Sequence, residues 1–279
     1  MPQDGPILLT GACSGIGESL VRRLQRGGRE VISVDLSPEA PADVLGHISL
    51  DLGDPDSGTQ VADAVDDILG ADQRPLAAVV NVAGVAGTLP PATVLEVNLL
   101  AMRRLNRALL RFLDTGSSVV NVASISGNGW ANRLDIHRQL LALDDEAARA
   151  FWHDRAPSID TDSYSFSKEA VIVYSMQLAG ELIGSGIRCN VVSPGPVDTP
   201  LLPTFKQDIG EDRIDWVMSH VGRAAQPDEI AQAIGWLAIG ESNWVNGHHL
   251  VVDGGYTSGL LSGWIDTNDA PLSRAAQAN

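Results

Sequence analysis

Seven short apolar runs punctuate the chain, at 7–9, 31–34, 47–50, 77–82, 118–122, 188–192 and 249–252. They are rich in β-branched residues and lack polar alternation, the pattern of strands buried on both faces of a parallel sheet. Longer segments of helical period lie between them. Ile16, Leu20, Val21 and Leu24 mark one helix, and Val171, Tyr174, Leu178 and Leu182 mark a later one. Pro227-Asp228-Glu229 opens another, with proline and acids in the first turn. The alternation runs to about residue 255 without an internal repeat. It predicts an α/β fold: one doubly wound, Rossmann-type domain with a seven-stranded parallel sheet flanked by helices. This domain is expected to span residues 1–266. An inserted helical segment is expected at about 127–162, between the fifth strand and the following helix, and a loose tail at 267–279.

Composition narrows the function. The 279 residues are 44% apolar and 19% charged, enough to bury a sizeable core. Nineteen basic residues against 35 acidic ones give a net charge of −16. That charge argues against nucleic acid and anionic membrane surfaces as partners. No apolar run is long enough to span a bilayer. The segment 1–6 has neither a basic n-region nor an apolar h-region, so no signal peptide is expected and a cytoplasmic location is. The two cysteines, Cys13 and Cys189, read as packing residues rather than a disulfide.

Two motifs carry the chemistry. In Thr10-Gly11-Ala12-Cys13-Ser14-Gly15-Ile16-Gly17, three glycines separate a predicted strand from a predicted helix. Such a turn lets backbone approach a pyrophosphate at a helix N-terminus, where free N–H groups favour negative charge. Its spacing is G-x-x-x-G-x-G rather than the general G-x-G-x-x-G. Asp35 ends the second strand, 18 residues beyond Gly17. A carboxylate there accepts hydrogen bonds from ribose hydroxyls and repels a 2′-phosphate. No arginine or lysine stands in the glycine turn or directly after Asp35, so NAD is expected over NADP. Asp51 and Leu52 are placed near the adenine ring, and Asn81, Ala83 and Gly84 near the cofactor at the end of the fourth strand.

The second motif is Tyr164-Ser165-Phe166-Ser167-Lys168. Tyrosine and lysine at i and i+4 share a helix face. A free tyrosine, with a pKa of about 10, is too weak a base at neutral pH. A neighbouring ammonium stabilises its phenolate. Tyr164 is therefore the candidate acid/base for removing an alcohol proton as hydride leaves the carbon. Ser124, with Ser126 as the alternative, is the candidate to hold the substrate oxygen.

The order of the glycine turn, Asn81-Val82-Ala83-Gly84, Asn98, Ser124, Tyr164-x-x-x-Lys168 and Pro194-Gly195-Pro196-Val197-Asp198-Thr199 resembles the short-chain dehydrogenase/reductase family over about residues 5–256. The family often has a second asparagine where this chain has Val82. The resemblance implies that Asn98 supports a water chain to Lys168 and that Lys168 holds the nicotinamide ribose. It also implies that Thr199 and the Val197 backbone bind the carboxamide. With these, Gly11, Ser14, Gly15, Ile16, Gly17, Pro194 and Gly195 complete the expected cofactor contacts. A dinucleotide-binding sensor without catalysis is the alternative, but it would not require Asn98, Ser124, Tyr164 and Lys168.

Ser124 precedes Tyr164 by 40 positions, longer than the family's usual interval. The long insertion resembles the branch that contains 3α-hydroxysteroid dehydrogenase/carbonyl reductases and bacterial coniferyl-alcohol dehydrogenases. It leaves the fifth strand at the sheet's carboxyl edge, so it is expected to cover or border the substrate. Trp130, Trp152, Phe205 and Trp216 are the candidate substrate-pocket residues, with core packing the competing reading for each. The expected substrate is a bulky aromatic or alicyclic alcohol or the matching carbonyl compound, including steroid and terpene alcohols. The six histidines show no zinc-ligand spacing, so no metal is expected, although His137 and His153 could touch substrate. The resemblance also implies a homodimer formed through the last helix and last strand, because the insertion should cover the alternative helical surface.

Overall fold

A computed structural model of the chain describes residues 4–159 and 163–271. Seven strands form one parallel sheet: β1 (Ile7–Thr10), β2 (Val31–Asp35), β3 (Gly46–Ser49), β4 (Ala78–Asn81), β5 (Ser118–Val122), β6 (Arg188–Pro194) and β7 (His249–Val252). Their order is β3-β2-β1-β4-β5-β6-β7. The chain winds outward from β1 through β2 to β3, then crosses back to lay β4 on the other side of β1. That reversal opens a crevice at the carboxyl ends of β1 and β4, where ligands bind in open α/β sheets.

Alternate residues of the central strands feed two cores. Leu8, Ile32, Val79, Val119 and Val191 face one core, with α2 (Ser57–Leu69), α4 (Met102–Leu109) and α7 (Ser163–Leu182). Ile7, Leu9, Val31, Val80, Val120 and Val192 face the other, with α1 (Gly15–Arg26) and α10 (Pro227–Ile239). Coverage on both faces is why these strands read as continuous apolar runs. Helix α10 begins with Pro227 and a reciprocal cap between Gln226 and Glu229.

The chain after β4 passes through α3 (Pro91–Leu95) and a wide π-helical turn at Glu96–Ala101. The insertion runs through a 3₁₀ stretch at Ile125–Arg133, α5 (Leu134–Leu141) and α6 (Asp145–Ile159). Beyond its first residues it packs on α7 and α3. Buried Arg103 on α4 holds it, donating to Asp145 at 2.6 Å and to the Leu143 carbonyl at 2.9 Å. Glu96 joins Arg104 at 2.6 Å to Arg149 at 2.8 Å. After β6 come α8 (Leu202–Ile209) and α9 (Glu211–Val221), and after β7 comes α11 (Tyr256–Ser262).

The expected loose tail divides in two. Its last eight residues, 272–279, lie outside the described residues. Before them, Asp269 accepts a hydrogen bond from the Trp216 indole, and the Pro271 carbonyl accepts one from Arg213. Residues 267–271 are therefore fastened to α9 despite having no helical or strand period.

Candidate active site

The glycine turn closes β1 against α1. Gly11 has φ +69°, and a Cβ there would lie 2.8 Å from the Ala83 nitrogen. A Cβ on Gly17 would lie 1.9 Å from the Gly11 carbonyl oxygen, so only glycine closes the turn. Ser14, at the N-cap of α1, makes no side-chain cap. The first-turn N–H groups of α1 are thus left for a ligand, and Ser14, Gly15 and Ile16 line the adjoining cavity. The Asp35 carboxylate at the end of β2 accepts from the Cys13 N–H at 2.9 Å and the Ser37 N–H at 3.0 Å. These bonds fix its negative charge beside the turn. This combination of open helix N-terminus, collapsed glycine turn and fixed carboxylate fits a dinucleotide.

The cavity holds about 300 Å³ at the carboxyl ends of β1, β4, β5 and β6. Tyr164 and Lys168, from the first turns of α7, meet Ser124 there, just beyond β5. Ser124 shares a hydrogen bond with the Tyr164 phenol and accepts one from the Ser126 N–H at 3.1 Å. The backbone bond fixes the serine, leaving Ser126 beside it on the cavity wall.

Burial raises the Tyr164 pKa above the ordinary phenol range, and the Asp208 carboxylate raises it further, while the Ser124 bond opposes both. Lys168 is buried as well, and loss of hydration lowers it to about 8. Its Nζ donates to the Val122 carbonyl at 3.2 Å and lies 5.7 Å from the centroid of the Tyr164 ring.

Asn98, within the π-helical turn, accepts from the Val85 N–H at 2.8 Å and donates to the Val85 carbonyl at 3.0 Å. It also donates to Ser167 at 3.0 Å, tying the segment after β4 to α7. Ala83, Gly84, Pro194, Gly195, Val197 and Thr199 all line the cavity. Thr199 sits directly across from Gly15, whose added Cβ would lie 3.1 Å from the threonine methyl. Asp51 and Leu52 follow β3, beyond this cavity.

Several expectations need correction. The Asn81 amide does not reach the cavity: it donates to Asn106 and Asn121, each at 2.8 Å, in a buried network linking β4, α4 and β5. Among the four candidate substrate residues, Phe205 alone lines the cavity, its ring centroid 5.0 Å from that of Tyr164. Trp152 is core, packed edge-on to Phe166 at 5.2 Å. Trp130 packs against the same core. Trp216 packs against Tyr256 and His220 and does not line the cavity. His137 is fully buried and bonds Glu169 at 2.7 Å, while Arg133 contacts the same carboxylate at 2.8 Å. Those residues brace α7 at Glu169, the residue next to Lys168, and do not line the cavity.

Of the described residues of the insertion, only Ile125 and Ser126 at its start border the cavity; none from 127 onward lines it. The insertion's apolar side chains found the exposed flank of α7 to bury, which is as good a sink as a ligand pocket. The cover comes instead from α8, α9 and Tyr256, with Leu202, Ile209, Arg213, Ile214 and Val217 on the wall. The available sequence signal was an amphipathic helical pair placed directly after a strand's carboxyl end.

The chain resembles known proteins over most of its length. Residues 6–134 match the family model described as short chain dehydrogenase, and residues 153–257 match the one described as enoyl-(acyl carrier protein) reductase. A coniferyl-alcohol dehydrogenase of Pseudomonas sp. (strain HR199 / DSM 7063) is 34% identical, over 90% of this chain and 96% of its own. A cis-4-hydroxycyclohexanecarboxylate dehydrogenase of Sinomonas cyclohexanicum is 31% identical, over 90% of this chain and 96% of its own. The crystal structure of a 3-alpha-hydroxysteroid dehydrogenase from Pseudomonas sp. B-0831, complexed with NADH, superposes with a TM-score of 0.75. It is 29% identical, over 94% of this chain and all of that one. The chain is an oxidoreductase that uses a nicotinamide cofactor, and it belongs to the short-chain dehydrogenase/reductase family.

Proposed function

We propose that this protein is an NAD-dependent dehydrogenase that interconverts a bulky aromatic or alicyclic alcohol with its aldehyde or ketone. The observation that carries the reading is the convergence of Ser124, Tyr164 and Lys168 on one cavity whose wall is otherwise largely apolar. Bound nicotinamide supplies the hydride acceptor. The chain's own residues handle the proton: Ser124 holds the alcohol oxygen beside the Tyr164 phenol, and ionised Tyr164 takes its proton. The Lys168 ammonium stabilises that ionised form in a site where burial alone disfavours it. Phe205, Leu202 and Val217 shield the reacting oxygen from water and favour an apolar ring.

NAD is favoured over NADP because the Asp35 carboxylate, held beside the glycine turn, would meet a 2′-phosphate with like charge. Asn98 and Asn81 take supporting roles, Asn98 by tying α7 to the segment after β4 and Asn81 from the buried network beneath the site. A bulky ring alcohol is also in keeping with the names of the relatives above. A homodimer through α10 and β7 is part of the reading. Trp236 is half-exposed on α10, and β7 is an edge strand with Leu250 and Val252 only partly covered. A cytoplasmic location is proposed on the same footing; no helix among the described residues is long and apolar enough to cross a membrane.

The test is NADH absorbance with a panel of coniferyl alcohol, 3α-hydroxysteroids, monoterpene alcohols and simple benzylic alcohols, with NAD and NADP in parallel. Reduction of NAD by ring-bearing alcohols is expected. Tight NAD binding with no turnover on any alcohol or carbonyl would instead favour a catalytically silent sensor.

A further inference from the structure

The cavity wall has one feature that alcohol oxidation does not use. Among the described residues two cationic side chains line it, Lys168 and Arg213, and no carboxylate lines it with them. Lys168 is engaged beside Tyr164. Arg213, on α9, is not: its charge acts on Tyr256 and is absent from the groups that shift Tyr164. Its Nη1 donates to the Pro271 carbonyl at 3.2 Å, a neutral acceptor that holds the side chain without compensating its charge. Its neighbours on the wall are apolar, among them Ile209, Ile214 and Val217.

We infer that the substrate carries an anionic group, a carboxylate in the simplest case, away from its reacting hydroxyl, and that Arg213 receives it. This rests on the dehydrogenase reading above and narrows its substrate class. A bulky apolar alcohol filling the cavity would strip water from the guanidinium and return no acceptor, which opposes binding. A carboxylate reverses that sign. The guanidinium has five N–H donors in a planar fork, and one of them serves Pro271. The fork matches the two oxygens of a carboxylate. The chain as a whole is strongly acidic, at −16, so a positive cavity wall runs against its overall charge. It would select an anion locally against long-range repulsion.

The experiment uses two benzylic alcohols that differ in charge, 4-(hydroxymethyl)benzoate and its methyl ester, with the full-length protein and NAD. The wild type should prefer the acid in kcat/KM. In Arg213→Leu the acid-to-ester ratio should fall about 10- to 100-fold, the range for a charge-assisted hydrogen bond, and mostly through KM for the acid. Arg213→Lys should fall between the two. The preference should also weaken as salt rises. A wild type that turns over the ester at least as well as the acid overturns the inference and leaves the dehydrogenase reading standing. So does a KM increase for NAD in Arg213→Leu with the acid-to-ester ratio unchanged, which would place Arg213 on the cofactor phosphates. No turnover with either compound or with any alcohol of the panel overturns both.

Discussion

The Lys168 ammonium lies 5.7 Å from the centre of the Tyr164 ring while its hydrogen bond goes to the Val122 carbonyl at 3.2 Å. The two groups are thus neighbours in a buried space, and each is shifted towards its neutral form by loss of water. Lys168 is lowered from 10.5 to about 8. Between those values the unfolded chain binds more protons than the folded one, so the Lys168 contribution to stability rises with pH across that window. Below about 8 both states are protonated and the full burial cost remains. Thermal unfolding of cofactor-free wild type and Lys168→Met, compared from pH 7.5 to 10.5, should show the variant's advantage shrinking as pH rises. A constant gap would mean that the folded Lys168 is not depressed.

Tyr164→Phe removes the proton acceptor but keeps the ring that packs on Phe205. Turnover should fall by about 10²- to 10⁴-fold, the usual contribution of a positioned acid/base. NADH binding, followed by fluorescence, should stay near the wild-type value. Near-normal turnover would remove Tyr164 from the proposed role.

Asp208 accepts a hydrogen bond from the Gly87 N–H at 2.9 Å, and its charge raises the Tyr164 pKa. Asp208→Asn keeps an acceptor for Gly87 and deletes the charge. The phenol then ionises at lower pH, so the ascending limb of the alcohol-oxidation pH profile should move to lower pH. A profile that stays in place, or moves upward, would show that Asp208 does not act on the tyrosine.

Asp35 is anchored by the Cys13 and Ser37 backbone, so its charge cannot swing away from a phosphate. Asp35→Ser should weaken NAD and narrow the gap in kcat/KM between NAD and NADP. If the unaltered protein uses NADP at least as well as NAD, the assignment of Asp35 fails.

For the proposed dimer, Leu250→Glu places a charge on edge strand β7, and Trp236→Glu places one on α10. Either should yield monomers in size-exclusion chromatography with light scattering. The insertion already covers much of α7 within the monomer: His137, Leu140, Ala148 and Trp152 are buried near its Phe166 face. A dimer unaffected by both substitutions would place the interface elsewhere.

Much of this protein is written in local pattern. The sheet was legible because strands covered on both faces must be apolar throughout, and the seven runs lie within a residue or two of the observed strands. The glycine turn and Tyr164/Lys168 were legible because their chemistry depends on spacing along the chain, which a sequence displays directly. Asp35 was legible for the same reason, as the last residue of β2.

Tertiary structure decided which side chains face the cavity. Trp152 and Phe205 are both aromatic residues on amphipathic helices, and nothing in the spacing of either distinguishes burial in a core from burial against a ligand. Only the docking of α6 on α7 sends Trp152 into the core, and only the fold of α8 and α9 over β6 brings Phe205 to Tyr164. Asn81 shows the same division: its place at the end of β4 was readable, but its amide turns to Asn106 and Asn121, partners remote in sequence. Arg213 was invisible as a site residue because an arginine on a polar helix reads as solvated surface. Its position on the cavity wall depends on contacts between segments far apart in the chain, which no local pattern encodes.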